Sequence, residues 1–93
     1  MILEIVSPEA KLFSGEVTSV TLPGVDGSFQ ILNNHAPIVS ILEKGTIKIA
    51  AASFDFPKEV ASKFTKVNDQ TYTLDITSGT IEMKDNKIIV LVD

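Results

Sequence analysis

The sequence predicts an all-β fold of about ten short strands, arranged as a β-sandwich or barrel. Three observations carry this expectation. Apolar residues recur at period two through much of the chain, as at 46–50, where Ile47 and Ile49 share one face and Thr46 and Lys48 the other. Turn-forming Gly, Asn, Asp, Ser and Pro interrupt these runs at short intervals. The chain has 93 residues, 44 % hydrophobic and 22 % charged, which makes one domain, 1–93, with one core and no charge excess to hold it unfolded.

Residues 1–6 form an extended apolar opening, stopped by Ser7-Pro8. Residues 11–13 make a short strand that turns at Ser14-Gly15. Residues 16–22 follow, rich in Val and Thr, and end at Pro23-Gly24. Val17 and Val20 are three apart but Val20 and Leu22 are two apart, a one-residue slip that predicts a β-bulge. Residues 24–27 are a turn, because Gly supplies positive φ and Asp26 can bond its own backbone. Residues 28–32 are a strand with Phe29 and Ile31 on one face, and Asn33-Asn34 turn the chain again. Residues 37–42 are apolar apart from Ser40, and 43–45 connect tightly to the strand at 46–50.

Residues 51–70 are the least decided segment, reading as a loop or hairpin. They carry Pro57, three Phe, and Lys58, Lys63 and Lys66 among acidic residues. Within them, 57–64 reads either as a short helix, with Pro in its first turn and Val60 and Phe64 four apart, or as an irregular loop. Residues 71–77 alternate with Tyr72, Leu74 and Ile76 inward, and Ser78-Gly79 turn. Ile81 and Met83 share a face of 80–84, and Asp85-Asn86 make a two-residue hairpin loop. Residues 88–92 are five consecutive apolar residues, a central strand that is covered on both faces or paired on both edges.

Composition excludes several functions. Without Cys there is no disulfide scaffold, thiolate zinc site or Cys nucleophile. All eight basic residues are Lys and the net charge is −4, a poor match to nucleic acid or anionic lipid, which demand a positive patch. No apolar run approaches the roughly 20 residues a membrane span needs. The N-terminus lacks a positive n-region and has Glu4, so it reads as a strand rather than a signal peptide. Positive mean hydropathy is high for a small soluble monomer and fits a domain that covers part of its surface with a partner.

Catalytic chemistry is thinly represented. His35 is the single His, and no nucleophile-elbow pattern surrounds any Ser. Glu9 and Glu16, or Asp75 and Glu82, read as solvated outer faces of strands. Gly24 and Gly27 flank a turn with no Lys-Ser or Lys-Thr after it, so they make no phosphate loop. One stretch is distinctive: Asn33, Asn34, His35, Ala36 and Pro37. It reads either as a rigid loop whose His bonds a backbone carbonyl or as a shaped loop presented to a partner.

These residues carry a resemblance. Residues 27–39, then Leu42 and 45–49, resemble the epsilon subunit of rotary F-type ATP synthase, in which a glycine-tipped turn, a strand, a His-Ala-Pro turn and a further Gly-led strand come in this order. Residues 6–9 and 12–17 are similar to that family's first two strands, and 78–83 with 88–93 to its closing hairpin. The resemblance covers 3–50 and 77–93. Asn33-Asn34 stands where the family usually has Pro-Gly, Gln30 replaces a common Gly, and Ser78 replaces the first of a Gly pair. Against that family, 51–70 is a longer-than-usual loop or hairpin insertion.

The resemblance implies a sandwich of two five-stranded sheets and a non-catalytic rotor subunit with no cofactor. It implies a place on the central stalk between the gamma subunit and the c-subunit ring, coupling proton or sodium flow to ATP synthesis. Asp26, Gly27 and Ser28 correspond to the family's loop against the c ring. Ser7, His35 and Ser40 correspond to the region of its gamma contact, with Asn33, Asn34, Ala36 and Pro37 as structural turn residues. The family commonly continues into a C-terminal helical hairpin that senses ATP and inhibits rotation. This chain stops at Asp93, so the expectation is no ATP binding and no inhibitory latch. The implied location is peripheral, on the cytoplasmic face of an energy-transducing membrane such as the bacterial inner membrane, without direct insertion. The alternative is a free-standing β-sandwich adaptor with another protein partner.

Overall fold

Period-two patterning becomes ten strands in the computed structural model, which describes all residues, 1–93. They are β1 (Ile2–Val6), β2 (Lys11–Glu16), β3 (Ser19–Gly24), β4 (Gly27–Leu32), β5 (Ile38–Leu42), β6 (Gly45–Ala50), β7 (Phe64–Asn68), β8 (Thr71–Ile76), β9 (Gly79–Lys84) and β10 (Lys87–Val92). Backbone pairing runs β2-β1-β10-β9-β5-β3-β6-β8-β7, with β4 beside β3. Between β5 and β3 the path thins to one residue pair, Leu42 with Gly24. The sheet folds over at that corner into two five-stranded layers, β2-β1-β10-β9-β5 and β4-β3-β6-β8-β7, as expected of a sandwich. The corner closes because residue 45 is Gly: a Cβ there would come within 2.7 Å of Pro23 Cβ. The Glu43 N–H donates to the Pro23 carbonyl at 2.8 Å across the same corner.

Twenty-two residues are buried between the layers, and every one is hydrophobic. β10 is central by pairing, parallel to β1 and antiparallel to β9. Only Ile88, Val90 and Val92 point inward, while Leu91 stays exposed. The five-residue apolar run is therefore paired on both edges but not covered on both faces.

Three sequence expectations change. Ser14-Gly15 does not turn the chain, because both residues are paired to β1, opposite Glu4 and Leu3, and the ladder overrides local turn preference. The slip between Val17 and Val20 is a strand break and not a bulge. There the chain crosses between layers, with the Val17 N–H bonded to the Met1 carbonyl and the Thr18 N–H to the Ala50 carbonyl, each at 2.8 Å. The bulge lies earlier: Ile5 faces Phe13 and Val6 faces Lys11, so Leu12 is the extra residue and Leu12 and Phe13 are both buried. The helical reading of 57–64 shrinks to a 3₁₀ turn, Ala61–Lys63, because Phe64 is drawn into β7 opposite Leu74. Phe54 and Phe56 from the preceding segment close the end of the core, with ring centroids 6.1 and 5.7 Å from Phe13.

Candidate functional site

The two outer faces of the sandwich differ in chemistry. On the β4-β3-β6-β8-β7 layer the outward rows hold Thr21, Gln30, Thr46, Lys48, Thr73 and Asp75, and the face is mostly polar, with Leu32 exposed at the end of β4. On the other layer, register aligns Ile41, Thr80, Leu91 and Val6 across β5, β9, β10 and β1. The next row holds Val39, Glu82, Ile89 and Glu4. Val39 is 77 % exposed, Ile41 62 % and Leu91 52 %. A groove of about 460 Å³ runs beside Val6, Ser7, Ile41, Thr80 and Leu91. Exposed apolar residues aligned on one sheet face make this the candidate protein-docking surface.

Glu4 is the polar anchor of this face. Its carboxylate accepts from Lys87 Nζ at 2.9 Å and from Lys11 Nζ at 3.2 Å. These two hydrogen bonds, Lys87 first and Lys11 second, hold its pKa below the ordinary 4.5. A lowered folded-state pKa adds stability that is present above 4.5 and lost as pH falls through the folded value. In Glu4→Gln, urea unfolding is therefore expected to show a stability deficit at neutral pH that closes on acidification below 4.5. A deficit independent of pH would contradict this.

The sequence-predicted residues occupy different places. Asp26, Gly27 and Ser28 form the exposed tip between β3 and β4, where Gly27 has φ of 115° and so needs no Cβ. Asn33, Asn34, His35, Ala36 and Pro37 lie at the opposite end of β4, all exposed. Asn34, with φ of 64°, takes the third position of a turn closed by the His35 N–H on the Leu32 carbonyl at 3.1 Å. His35 Nδ1 lies 2.6 Å from the Ala36 carbonyl, so Nδ1–H donates to it. The rigid-loop reading of this stretch is thus met at its His.

Ser7 and His35 do not meet. β1 and β5 run parallel, since both are antiparallel to the strand order through β9, so Ser7 follows the C-terminal end of its strand while His35 precedes the N-terminal end of β5. Ser7 Oγ donates to the Ala10 carbonyl at 3.2 Å and lines the groove. Ser40 is half-buried opposite the buried Ile81, on the inner row, while its neighbours Val39 and Ile41 face outward.

Sequence reasoning missed Val39, Ile41 and Leu91 as surface residues, and took Asn86 only as a turn former. Asn86 also bonds the His35 loop: its Oδ1 accepts from the Asn34 N–H and its Nδ2 donates to Asn33 Oδ1, both at 2.8 Å. The available signal was an Asn at a hairpin position where Gly serves the backbone equally well. No three His, Asp or Glu side chains converge as metal ligands. No helix is long and apolar enough to cross a membrane. What the arrangement offers chemically is binding.

Comparison with known proteins agrees with this geometry. The family model described as ATP synthase, Delta/Epsilon chain, beta-sandwich domain matches residues 1–93. The ATP synthase epsilon chain of Chlorobium limicola is 36 % identical over 91 residues, covering 98 % of this chain and 86 % of that one. The epsilon chain of Desulforamulus reducens is also 36 % identical, and there this chain spans 57 % of the relative's length. A chain in the Euglena gracilis mitochondrial ATP synthase structure, comprising OSCP, F1 and c-ring, superposes with a TM-score of 0.77 at 15 % identity, over 99 % of this chain and 49 % of that one. A chain in the central stalk and c-ring structure of the Tetrahymena thermophila mitochondrial ATP synthase gives 0.70 at 20 % identity, over 99 % and 62 %. The chain belongs to the ATP synthase delta/epsilon-chain family through its beta-sandwich domain.

Proposed function

We propose that this chain links the gamma subunit to the c-subunit ring and so couples proton or sodium flow to ATP synthesis. The observation that carries the reading is the contrast between outer faces: one is mostly polar, with Leu32 exposed at the end of β4, while the other presents Val39, Ile41 and Leu91 to solvent. Full burial of an aliphatic side chain is worth about 1.5–3 kcal/mol, so a partner over these three half-exposed residues gains several kcal/mol before the costs of association. In this reading gamma covers that face together with Ser7 and the His35 loop, while Ser40 faces inward and contributes through the strand that presents Val39 and Ile41. The Asp26-Gly27-Ser28 tip meets the polar loops of the c ring. Its position at the far end of β4 from His35 suits a connector that must touch two partners at once. The site of action is then the cytoplasmic face of the energy-transducing membrane, reached through protein contacts without insertion.

Photo-crosslinking in the assembled complex tests both contacts together. A crosslinker at Ser28 is expected to capture c subunits, and one at His35 to capture gamma. Capture of the same partner from both positions, or of neither, would overturn the reading.

A further inference from the structure

We infer that Asn86 is a positioning residue for the His35 loop, joining it to the β9–β10 hairpin as one recognition edge. The inference rests on the reading that this loop meets gamma. Residues 33–37 lie between β4 and β5 and pair with neither neighbouring sheet edge. Two of the loop's own hydrogen bonds, His35 N–H to Leu32 and His35 Nδ1 to Ala36, are local and cannot fix it against the body of the domain. The side-chain bonds that do reach another element both go to Asn86, 52 and 53 residues further along the chain.

The Asn86 amide is used at both ends. Only Oδ1 can accept from the Asn34 backbone N–H, so Nδ2 must face Asn33 Oδ1, and the amide's orientation is set by chemistry. Asn86 is itself anchored, because its carbonyl accepts from the Ile2 N–H at 3.1 Å and its side chain is half-buried. Backbone conformation points to the same junction. The non-glycine residues with positive φ are Asn34, Asp85 and Asn86, at 64°, 52° and 61°, and all three sit in these two turns. Glycine would relieve that conformation at residue 86 but would remove the clamp. A loop held in place before binding also avoids the ordering cost that a free loop would impose on association.

The test uses the whole chain and two readouts. Asn86→Gly keeps the backbone conformation and deletes the amide. Asp85→Gly is the control, since it changes the same turn without touching the loop. Asn86→Asp retains the acceptor for the Asn34 N–H and should recover part of the effect. The first readout is hydrogen exchange at the Asn34 amide in the free chain, expected to accelerate roughly five- to tenfold in Asn86→Gly, as loss of one net hydrogen bond implies. The second is affinity for purified gamma, expected to fall by a similar factor, mostly through faster dissociation. Unchanged exchange in Asn86→Gly overturns the clamp. Accelerated exchange with unchanged gamma affinity overturns the positioning role. Equal effects of Asp85→Gly would reduce Asn86 to ordinary turn stability and overturn it as well. If the unaltered chain fails to bind gamma, the docking reading fails and the role of Asn86 there falls with it, while the exchange rate still reports whether the loop is clamped.

Discussion

Ile41→Asp is expected to weaken binding of the cognate gamma subunit by about 100-fold while leaving the fold intact. Ile41 is 62 % exposed on β5, at the end of the row Ile41, Thr80, Leu91 and Val6, so an aspartate there is solvated in the free chain and costs little. Under a partner the same carboxylate would be buried without a counter-charge: Thr80 lies opposite on β9, and the cations bound to Glu4 lie across β10 and β1. Losses of about 2–4 kcal/mol are typical when a side chain that an interface buries fully is lost, and each 1.4 kcal/mol is tenfold in Kd. Calorimetric titration gives the affinity, and a thermal melt of the free variant shows whether the fold survives. Lys48→Glu, on the polar outer face of the other layer, is the matched control and should bind like the parent chain. Equal binding by Ile41→Asp would move the gamma contact off this face.

The second large effect concerns the fold. Phe13 is 1 % exposed, and its ring centroid lies 5.7–6.4 Å from those of Phe54, Phe56 and Phe64. Truncating a buried Phe to Ala typically costs about 3–5 kcal/mol, through lost transfer energy and the cavity left behind. Domains of this size are stable by about 5–15 kcal/mol, so Phe13→Ala should remove a large share of the total. Urea unfolding measures it directly. Phe54→Ala should cost less, because Phe54 is only half-buried. Equal losses at the two positions would mean that the cluster is a surface cap and not a continuation of the core.

Most of the strands were legible because the signals are local. Asp85-Asn86 was read as a two-residue hairpin loop, and both residues adopt the positive φ such a loop needs. Ile47 and Ile49 alternate with polar neighbours, so their face was certain before any pairing was known. The failures have a common physical cause, since each was decided by a distant partner. Ser14-Gly15 has turn chemistry but sits opposite Glu4 and Leu3. The Val17–Val20 slip marks the crossing between layers, which is fixed by Met1 and Ala50. Phe64 leaves the helical reading to pair with Leu74.

The candidate site was less legible for a related reason. Residues 38–42 are apolar on both faces except at Ser40, so alternation says nothing about which side is covered. Pairing to β9 settles it, sending Ile38 and Leu42 inward and leaving Val39 and Ile41 outside. The link from Asn86 to Asn33 and Asn34 spans more than fifty residues and has no local signature. The polar turn at Asn33-Asn34 was readable, but what holds it in place was not.

The corner pair between Gly24 and Leu42 has a mechanical consequence. The β3–β4 tip begins one residue beyond Gly24, so a force applied there enters the molecule where backbone hydrogen bonds join both layers. From that point the load divides, along β3 into one layer and through Leu42 into β5 of the other. Neither layer has to drag its counterpart through side-chain contacts alone, which yield in shear more readily than a ladder of hydrogen bonds. A torque at the tip would therefore turn both layers together, with the least backbone reinforcement at the opposite rim, where aromatic rings bridge the ends of β2 and β7.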